Sequence, residues 1–263
     1  MFGLTADDLA GGVLDVCAGG SSFIAECSAR RVPAWAVDPV YAWSRSRLAD
    51  AVRSSVKDGH RIIAQHPDRF VWTYYGDLAR HRRIRQSAAD RFLADREARP
   101  SRYVAGRLPQ LPLRDGSARL VLCSHLLFTW SEQLDAAWHL AALRELARVT
   151  AAQVRVFPLV VAGTGARVPF LVDVVRELRS DGVGVAVRKV PYEFQAGADE
   201  MLVLNVANRS PSARGGTCGI LTACEACCSL CSRADLYRTP PSWRRVSAAD
   251  PSCARGLCMS PQA

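Results

Sequence analysis

The sequence predicts an α/β fold with a doubly wound, mostly parallel seven-stranded sheet. Short apolar runs recur along the chain, unbroken enough to be buried on both faces. Stretches with helical spacing separate most of the first five of them. The last two runs, 184–190 and 201–206, are joined by a short turn region with no helix, which favours an antiparallel pair.

The stretch VLDVCAGGSSF, Val13 to Phe23, organises the rest. Residues 12–17 read as the first strand, broken at Gly19-Gly20 and followed by a helix over 21–28 with Ser21 or Ser22 as N-cap. A strand, a glycine turn and a helix start set a nucleotide-like ligand against bare backbone, because a Cβ blocks close approach. The same pattern also serves as a plain tight turn.

Residues 34–37 form the second strand, ending in Asp38-Pro39. Nucleotide-binding α/β folds place a ribose-binding carboxylate at the end of this strand. The competing role for Asp38 is to cap the next helix. Residues 41–56 read as a charged helix. Residues 57–100 exceed a minimal strand–helix–strand unit and read as a helical insert or lid. They hold Phe70, Trp72, Tyr74, Tyr75 and Phe92 between clusters of arginine. These aromatics either pack the insert's own small core or cover a site.

Residues 102–105 are a third strand, followed by the loop Leu108-Pro109-Gln110-Leu111-Pro112 and a turn at Asp115-Gly116. The very apolar run 119–123 is a central fourth strand, with Ser124-His125 at the sheet edge where ligands bind in open α/β folds. A helix over 134–149, a fifth strand over 153–157 and a helix over 168–179 lead to the closing hairpin.

The chain has 263 residues and a formal charge of +9. Seven of its ten cysteines follow residue 217, and residues 208–263 carry seven arginines against three acids. Residues 1–207 therefore read as one domain, and 208–263 as a Cys-, Arg-, Ser- and Pro-rich irregular tail. With nearly half the surplus charge in the tail, a nucleic-acid partner is not favoured. Cys224-x-x-Cys227 abuts Cys228-x-x-Cys231 with no histidine nearby, so no metal site is expected. Three scattered cysteines in the domain, no secretory leader and no long apolar run point to a cytoplasmic protein without a membrane span.

Taken together, VLDVCAGGSSF, AVDPVY, RYVAGRLPQLPLRDGSARLVLCSHLLF, ALRELARV before RVFPL, and KVPYEFQAGADEML resemble class I S-adenosylmethionine-dependent methyltransferases over about residues 10–206. They look most like an uncharacterised bacterial branch of that family. The resemblance implies a Rossmann-like fold and S-adenosylmethionine as cofactor. It implies cofactor contacts at Asp15, Cys17, Ala18, Gly19, Gly20 and Phe23, and at Asp38 and Pro39 for the ribose. It adds Arg107 and Leu108 beside the adenine, and Ser124, His125 and Phe128 where the methyl group meets its acceptor. Cys17 and Ser21 stand where the family has glycines, Gly106-Arg107 where it often has an acid, and Ala118-Arg119 where it often has Phe-Asp.

Methyl transfer needs alignment and desolvation, and a base only if the acceptor must lose a proton. His125 is the one candidate base at the right edge, and packing is its competing role. Tyr41 is placed to donate or pack near the pocket. His60, His66, His81 and His139 show no partner pattern. A small-molecule acceptor is expected. A nicotinamide enzyme is disfavoured because no Gly-x-Gly-x-x-Gly occurs, and a non-catalytic binding or regulatory protein on the same fold is the alternative.

Overall fold

The computed structural model describes residues 1–206. The expectations for the tail, its cysteines included, lie outside the described residues.

The elements run α1 (Ala6–Ala10), β1 (Val13–Val16), α2 (Phe23–Ala29), β2 (Ala34–Val37), α3 (Arg45–Gln65), α4 (Leu78–Ala98), β3 (Tyr103–Val104), β4 (Ala118–Ser124), α5 (Ala136–Val149), β5 (Thr150–Phe157), α6 (Leu171–Ser180), β6 (Gly184–Lys189) and β7 (Glu200–Asn205). One seven-stranded sheet has the order β3-β2-β1-β4-β5-β7-β6. The first five strands are parallel, and β7 runs antiparallel to both β5 and β6. The expected doubly wound sheet with its antiparallel hairpin is therefore present. No helix among the described residues is long and apolar enough to cross a membrane.

Central strands are largely apolar because helices cover both faces. Leu14, Val16, Val121, Cys123, Val154 and Val156 pack with α5 and α6 through Leu143, Leu146, Val174 and Leu178. Val13, Ala36, Leu120, Leu122 and Val203 pack on the other face with α2, α3 and α4 through Ile24, Val52, Ala89 and Phe92. Strand alternation puts Asp15 on this second face, opposite Ala36 and Leu122 in the ladder.

Several helices begin where a short side chain accepts a backbone N–H. Asp77 caps α4 through Arg80 N at 2.6 Å, and Asp135 caps α5 through Trp138 N at 2.8 Å. Ser22 holds the cap position of α2 without such a bond, and Ser21 Oγ instead accepts from Phe23 N at 3.1 Å. The chain has one element the reading above lacks. Thr5 and Asp8 form a reciprocal capping box that starts α1, a Thr-x-x-Asp signal present in the sequence.

The insert corrects the expected boundaries. The helix assigned to 41–56 is a 3-10 turn at Pro39–Ala42 followed by α3, which runs on to Gln65, so residue 57 falls mid-helix. The aromatics share cores with the main domain rather than forming one of their own. Phe92 is wholly buried between Tyr41 and Tyr103, with ring centroids 6.0 and 5.6 Å away. The connection between α3 and α4 pairs instead with the β6–β7 loop. Val71 N donates to Phe194 O at 2.7 Å, and Ala196 N to Arg69 O at 3.0 Å.

Phe92→Ala removes the ring that anchors α4 to Tyr41 and Tyr103. We expect a loss of about 3–5 kcal/mol, read as a lower urea midpoint at unchanged slope.

Candidate active site

The C-terminal ends of β1, β2, β4 and β5 form one edge, and the expected site residues gather there. Cys17, Ala18, Gly19, Gly20, Ser21 and Ser22 are all buried. Cys17 N and Ala18 N donate to Val37 O at 2.7 and 3.4 Å, which ties the start of the turn to β2.

The turn is gripped from two further sides. Gly19 N donates to Asp38 Oδ2 at 3.0 Å, and Tyr41 Oη donates to Gly19 O at 2.8 Å. Asp38 Oδ1 accepts from Val40 N at 3.0 Å and so caps the 3-10 turn as well. Asp38 thus fills the capping role and faces the glycine turn at once. A carboxylate has about four lone-pair directions, so each oxygen keeps capacity for another donor. Phe23 lies half-buried at the start of α2, and Pro39 is exposed beside Asp38.

Asp15 lies on the same face. It is 1% exposed, and neither carboxylate oxygen has a hydrogen-bond partner. Burial, and then the neighbouring Asp38, push its pKa up to about 8. Burial also raises Asp38, to about 6, against the lowering effect of the Val40 and Gly19 N–H groups. A buried carboxylate with no donor is costly, and one placed at a sheet edge marks a group that a ligand completes.

Backbone strain concentrates at this edge. Four non-glycine residues among those described have positive φ, and three of them are here: Cys17 at 61°, His125 at 57° and Phe128 at 67°. Cys17 therefore adopts the conformation that a glycine would take without strain. Side chains rarely sit in this region, and such residues cluster at ligand sites.

Two histidines shape the β4–α5 connection. His125 Nδ1 lies 2.6 Å from Ser124 Oγ, and His125 N donates to Phe157 O at 2.8 Å. Burial, and then Arg85, lower its pKa to about 3, so the ring is neutral near pH 7. His139 is fully buried, and Phe128 N donates to its Nε2 at 2.8 Å. Its Nδ1 is 2.8 Å from Asp135 O, which fixes the tautomer with the proton on Nδ1. His139 thus holds the strained Phe128 in place.

On the β3 side, Leu108 is buried and Arg107 is exposed, its carbonyl accepting from Gln110 N at 3.1 Å. The glycine at 106 has a packing reason. A Cβ there would come within 2.7 Å of Pro112 Cδ and 2.9 Å of Val37 Cγ1. The Leu-Pro loop is held to α5 by Glu145, which accepts from Leu111 N at 2.6 Å, and by Arg148, which donates to Leu113 O at 2.9 Å.

An aromatic roof overhangs the β4–β5 end. The Tyr75 and Tyr192 hydroxyls are 3.2 Å apart. Tyr192 packs on Phe157 with centroids 5.9 Å apart, and His125 packs on the same Phe157 at 5.9 Å. His81 is 4% exposed, stacks on Phe194 at 4.9 Å, and leaves Nδ1 without a partner. Sequence reasoning found Tyr41 and Phe128 but missed Arg85, His81, Tyr192 and the role of His139. Helical spacing on α4, where 81, 85, 88 or 89 and 92 share one face, carried the signal for His81 and Arg85.

The strand order, with β7 alone reversed, is the class I methyltransferase fold. No family model matches the chain. It is 22% identical over 205 residues to an uncharacterised protein of Methanocaldococcus jannaschii, covering 78% of this chain and 90% of that one. Solved structures it is similar to include magnesium protoporphyrin IX methyltransferase from Synechocystis PCC 6803 with bound SAM. That match has 13% identity, covers 76% of this chain and 73% of that one, and has a TM-score of 0.39. A SAM-dependent methyltransferase from Aquifex aeolicus matches at 13% identity, covering 75% and 82%, with a TM-score of 0.37. An O-methyltransferase from neocarzinostatin biosynthesis, solved with S-adenosyl-L-homocysteine and 1,4-dihydroxy-2-naphthoic acid, matches at 19% identity. Coverage there is 75% of this chain and 49% of that one, with a TM-score of 0.40. At these levels the site is defined by this chain's own residues.

Asp15 gives a stability test with a definite sign. Its folded pKa of about 8 lies above the ordinary 3.8, so its contribution is intact below about pH 4 and is lost as pH rises towards 8. Asp15→Asn is expected to raise the melting temperature relative to wild type at pH 9, and by much less at pH 5. Equal shifts at both pH values would show that the carboxylate is not strained by ionisation.

Proposed function

We propose that the chain is an S-adenosylmethionine-dependent methyltransferase acting on a small-molecule acceptor. The observation that carries this reading is the buried, unpartnered carboxylate of Asp15 beneath a glycine turn whose far side holds Asp38. A ligand with one ammonium and a vicinal pair of ribose hydroxyls fits that donor and acceptor set.

When bound, S-adenosylmethionine supplies a methyl group activated on a sulfonium. The protein's part is to bind, orient and exclude water. Asp15 accepts hydrogen bonds from the ammonium and exchanges a costly isolated charge for an ion pair. Asp38 turns its remaining lone pairs to the ribose hydroxyls while still holding Gly19 N and Val40 N. The turn over Cys17, Ala18, Gly19 and Gly20 gives its backbone to the methionyl chain, and Phe23 and Pro39 border it. Arg107 and Leu108 flank the adenine. Tyr41 keeps the glycine turn in register through Gly19 O.

Ser124 and His125 line the transfer site. A neutral imidazole held near pKa 3 is a weak proton acceptor at pH 7. In this reading His125 positions and desolvates, and the acceptor reacts through an atom that is already nucleophilic. The non-catalytic alternative shares the binding site and differs in turnover.

Calorimetric titration tests the reading. Wild type is expected to bind S-adenosylmethionine and S-adenosylhomocysteine at micromolar concentration and not to bind NAD. Asp15→Asn and Asp38→Ala are each expected to weaken binding at least about tenfold, the cost of one charged hydrogen bond. Affinity should rise from pH 6 to pH 8 with proton release, visible as heat that depends on the buffer, because Asp15 must ionise to hold the ammonium. No binding by folded wild-type protein would overturn the reading. Binding without transfer of labelled methyl to any fraction of a metabolite extract would favour the non-catalytic alternative.

A further inference from the structure

On the second face of the sheet one ladder row runs Asp15, Leu122, Arg155 and Val203 across β1, β4, β5 and β7. Arg155 is buried in that row between two wholly buried apolar neighbours. A charge there is costly unless it is paired and hydrogen-bonded, and an aliphatic side chain would suit the core better. Its partners show what the charge holds. Nη1 donates to Phe2 O at 2.9 Å and to Gly3 O at 3.4 Å, Nη2 to Asp8 Oδ1 at 2.6 Å, and Nε to Gln153 Oε1 at 2.6 Å. Three of these four bonds go to residues 2–8.

Residues 1–4 belong to no helix or strand, and they cover the ends of β4 and β5. Phe2 is buried, with its ring edge-on to Phe157 at a centroid distance of 6.4 Å. The Ser124 hydroxyl donates to Met1 Sδ at 3.7 Å. Ser124 and Phe157 stand opposite each other in the ladder, and His125 packs on the same Phe157. The segment therefore walls one side of the place where Ser124 and His125 stand. Its buried carbonyls need donors that no ladder gives them, and Arg155 supplies them. Gly3 bends the chain beside this latch, with φ +57° and no atom within 4 Å of where a Cβ would lie. Asp8 ties the latch to α1, because its other oxygen accepts from Thr5 N at 2.9 Å.

We propose that Arg155 is a positioning residue: its guanidinium latches residues 1–4 as a strap beside the transfer site, and the strap seats over bound S-adenosylmethionine and lifts for its exchange. The ligand's identity rests on the methyltransferase reading above, and the latch is a property of the chain itself. A ligand on this edge meets the strap beside Ser124 and Phe157, so a seated strap keeps water from one side of the sulfonium. Lifting it breaks a few hydrogen bonds and uncovers little more than Met1 and Phe2, and short segments with few contacts are the ones that open at lowest cost. An arginine suits this task because its bonds to carbonyls and to Asp8 hold one geometry when made.

The experiment uses the full chain labelled with 13C at the methionine methyl groups. The chain has three methionines, Met1, Met201 and Met259, and Met201 is a buried reporter of the fold. Methyl spectra are recorded with and without saturating S-adenosylhomocysteine, and the dissociation rate of that ligand is measured, on wild type, Arg155→Gln, Arg155→Lys and Asp8→Asn. The wild-type Met1 methyl should sit away from the position of a free methionine and shift again when the ligand binds. Arg155→Gln should move it to the free position, leave Met201 in place, and release the ligand about tenfold faster, the worth of one charged hydrogen bond. Arg155→Lys and Asp8→Asn should fall between. If Arg155→Gln disturbs Met201, Asp8→Asn carries the comparison, since its side chain lies on α1 outside the sheet. A wild-type Met1 methyl at the free position, or one that the bound ligand does not move, overturns the proposal. So does a variant that frees Met1 and leaves the dissociation rate unchanged, which would make the latch structural only. Failure of wild type to bind S-adenosylhomocysteine overturns the exchange role together with the methyltransferase reading. The Met1 position in Arg155→Gln against wild type, without ligand, is the separate check on the latch.

Discussion

The carboxylate of Asp38 joins the ends of the two strands on which the site is built. One oxygen takes Gly19 N and the other takes Val40 N. Tyr41, three residues along the same turn, returns a hydroxyl to Gly19 O. The glycine turn is thus held through both its N–H and its C=O by one short segment after β2. That segment is itself packed on Phe92 and Tyr103 through Tyr41. The position of the turn depends on the insert helix as much as on the sheet. Loosening α4 at Phe92 would reach Gly19 by way of Tyr41, with no direct contact between the two.

This grip explains how the edge tolerates its own strain. Cys17 and Phe128 sit in left-handed conformations that cost of order 1 kcal/mol or more each. Cys17 is held by the 2.7 Å bond from its N–H to Val37 O, and Phe128 by its N–H bond to His139. Asp15 adds a second kind of strain, an unpartnered carboxylate with its pKa raised by burial. Conformational and electrostatic costs therefore fall at the same edge, where a cationic ligand relieves the electrostatic one.

The mostly parallel sheet and its antiparallel hairpin were legible because each central strand is a short, largely apolar run and only the last connection is a short turn region, while the order of the strands in the sheet was not. Gly19 and Asp38 were legible because their spacing follows from the strand–turn–helix geometry itself, and Asp15 entered only through the resemblance. Other features depended on tertiary contacts that no local pattern encodes. His139 looked unassigned, since its partner is a backbone N–H eleven residues earlier whose availability depends on the turn at Phe128. The aromatics of 57–100 were recognised as a group. Their partners Tyr192 and Phe194 lie over a hundred residues away and meet them only because β7 reverses and carries the β6–β7 loop over the same edge. Gly106 read as a missing acid, and its packing against Pro112 and Val37 appears only when the Leu-Pro loop is folded back.

The buried charges at this edge constrain what the site can hold. Asp15 and Asp38 lie at the level of the sheet, beneath the glycine turn, and both are buried. A cation is favoured beside them, in surroundings where low polarity strengthens the preference. An acid in the same place would face two carboxylates. Charge therefore constrains a ligand at this level as well as shape does. A cation there would offset the field of the unpartnered carboxylate of Asp15, whose pKa burial and then Asp38 push up to about 8.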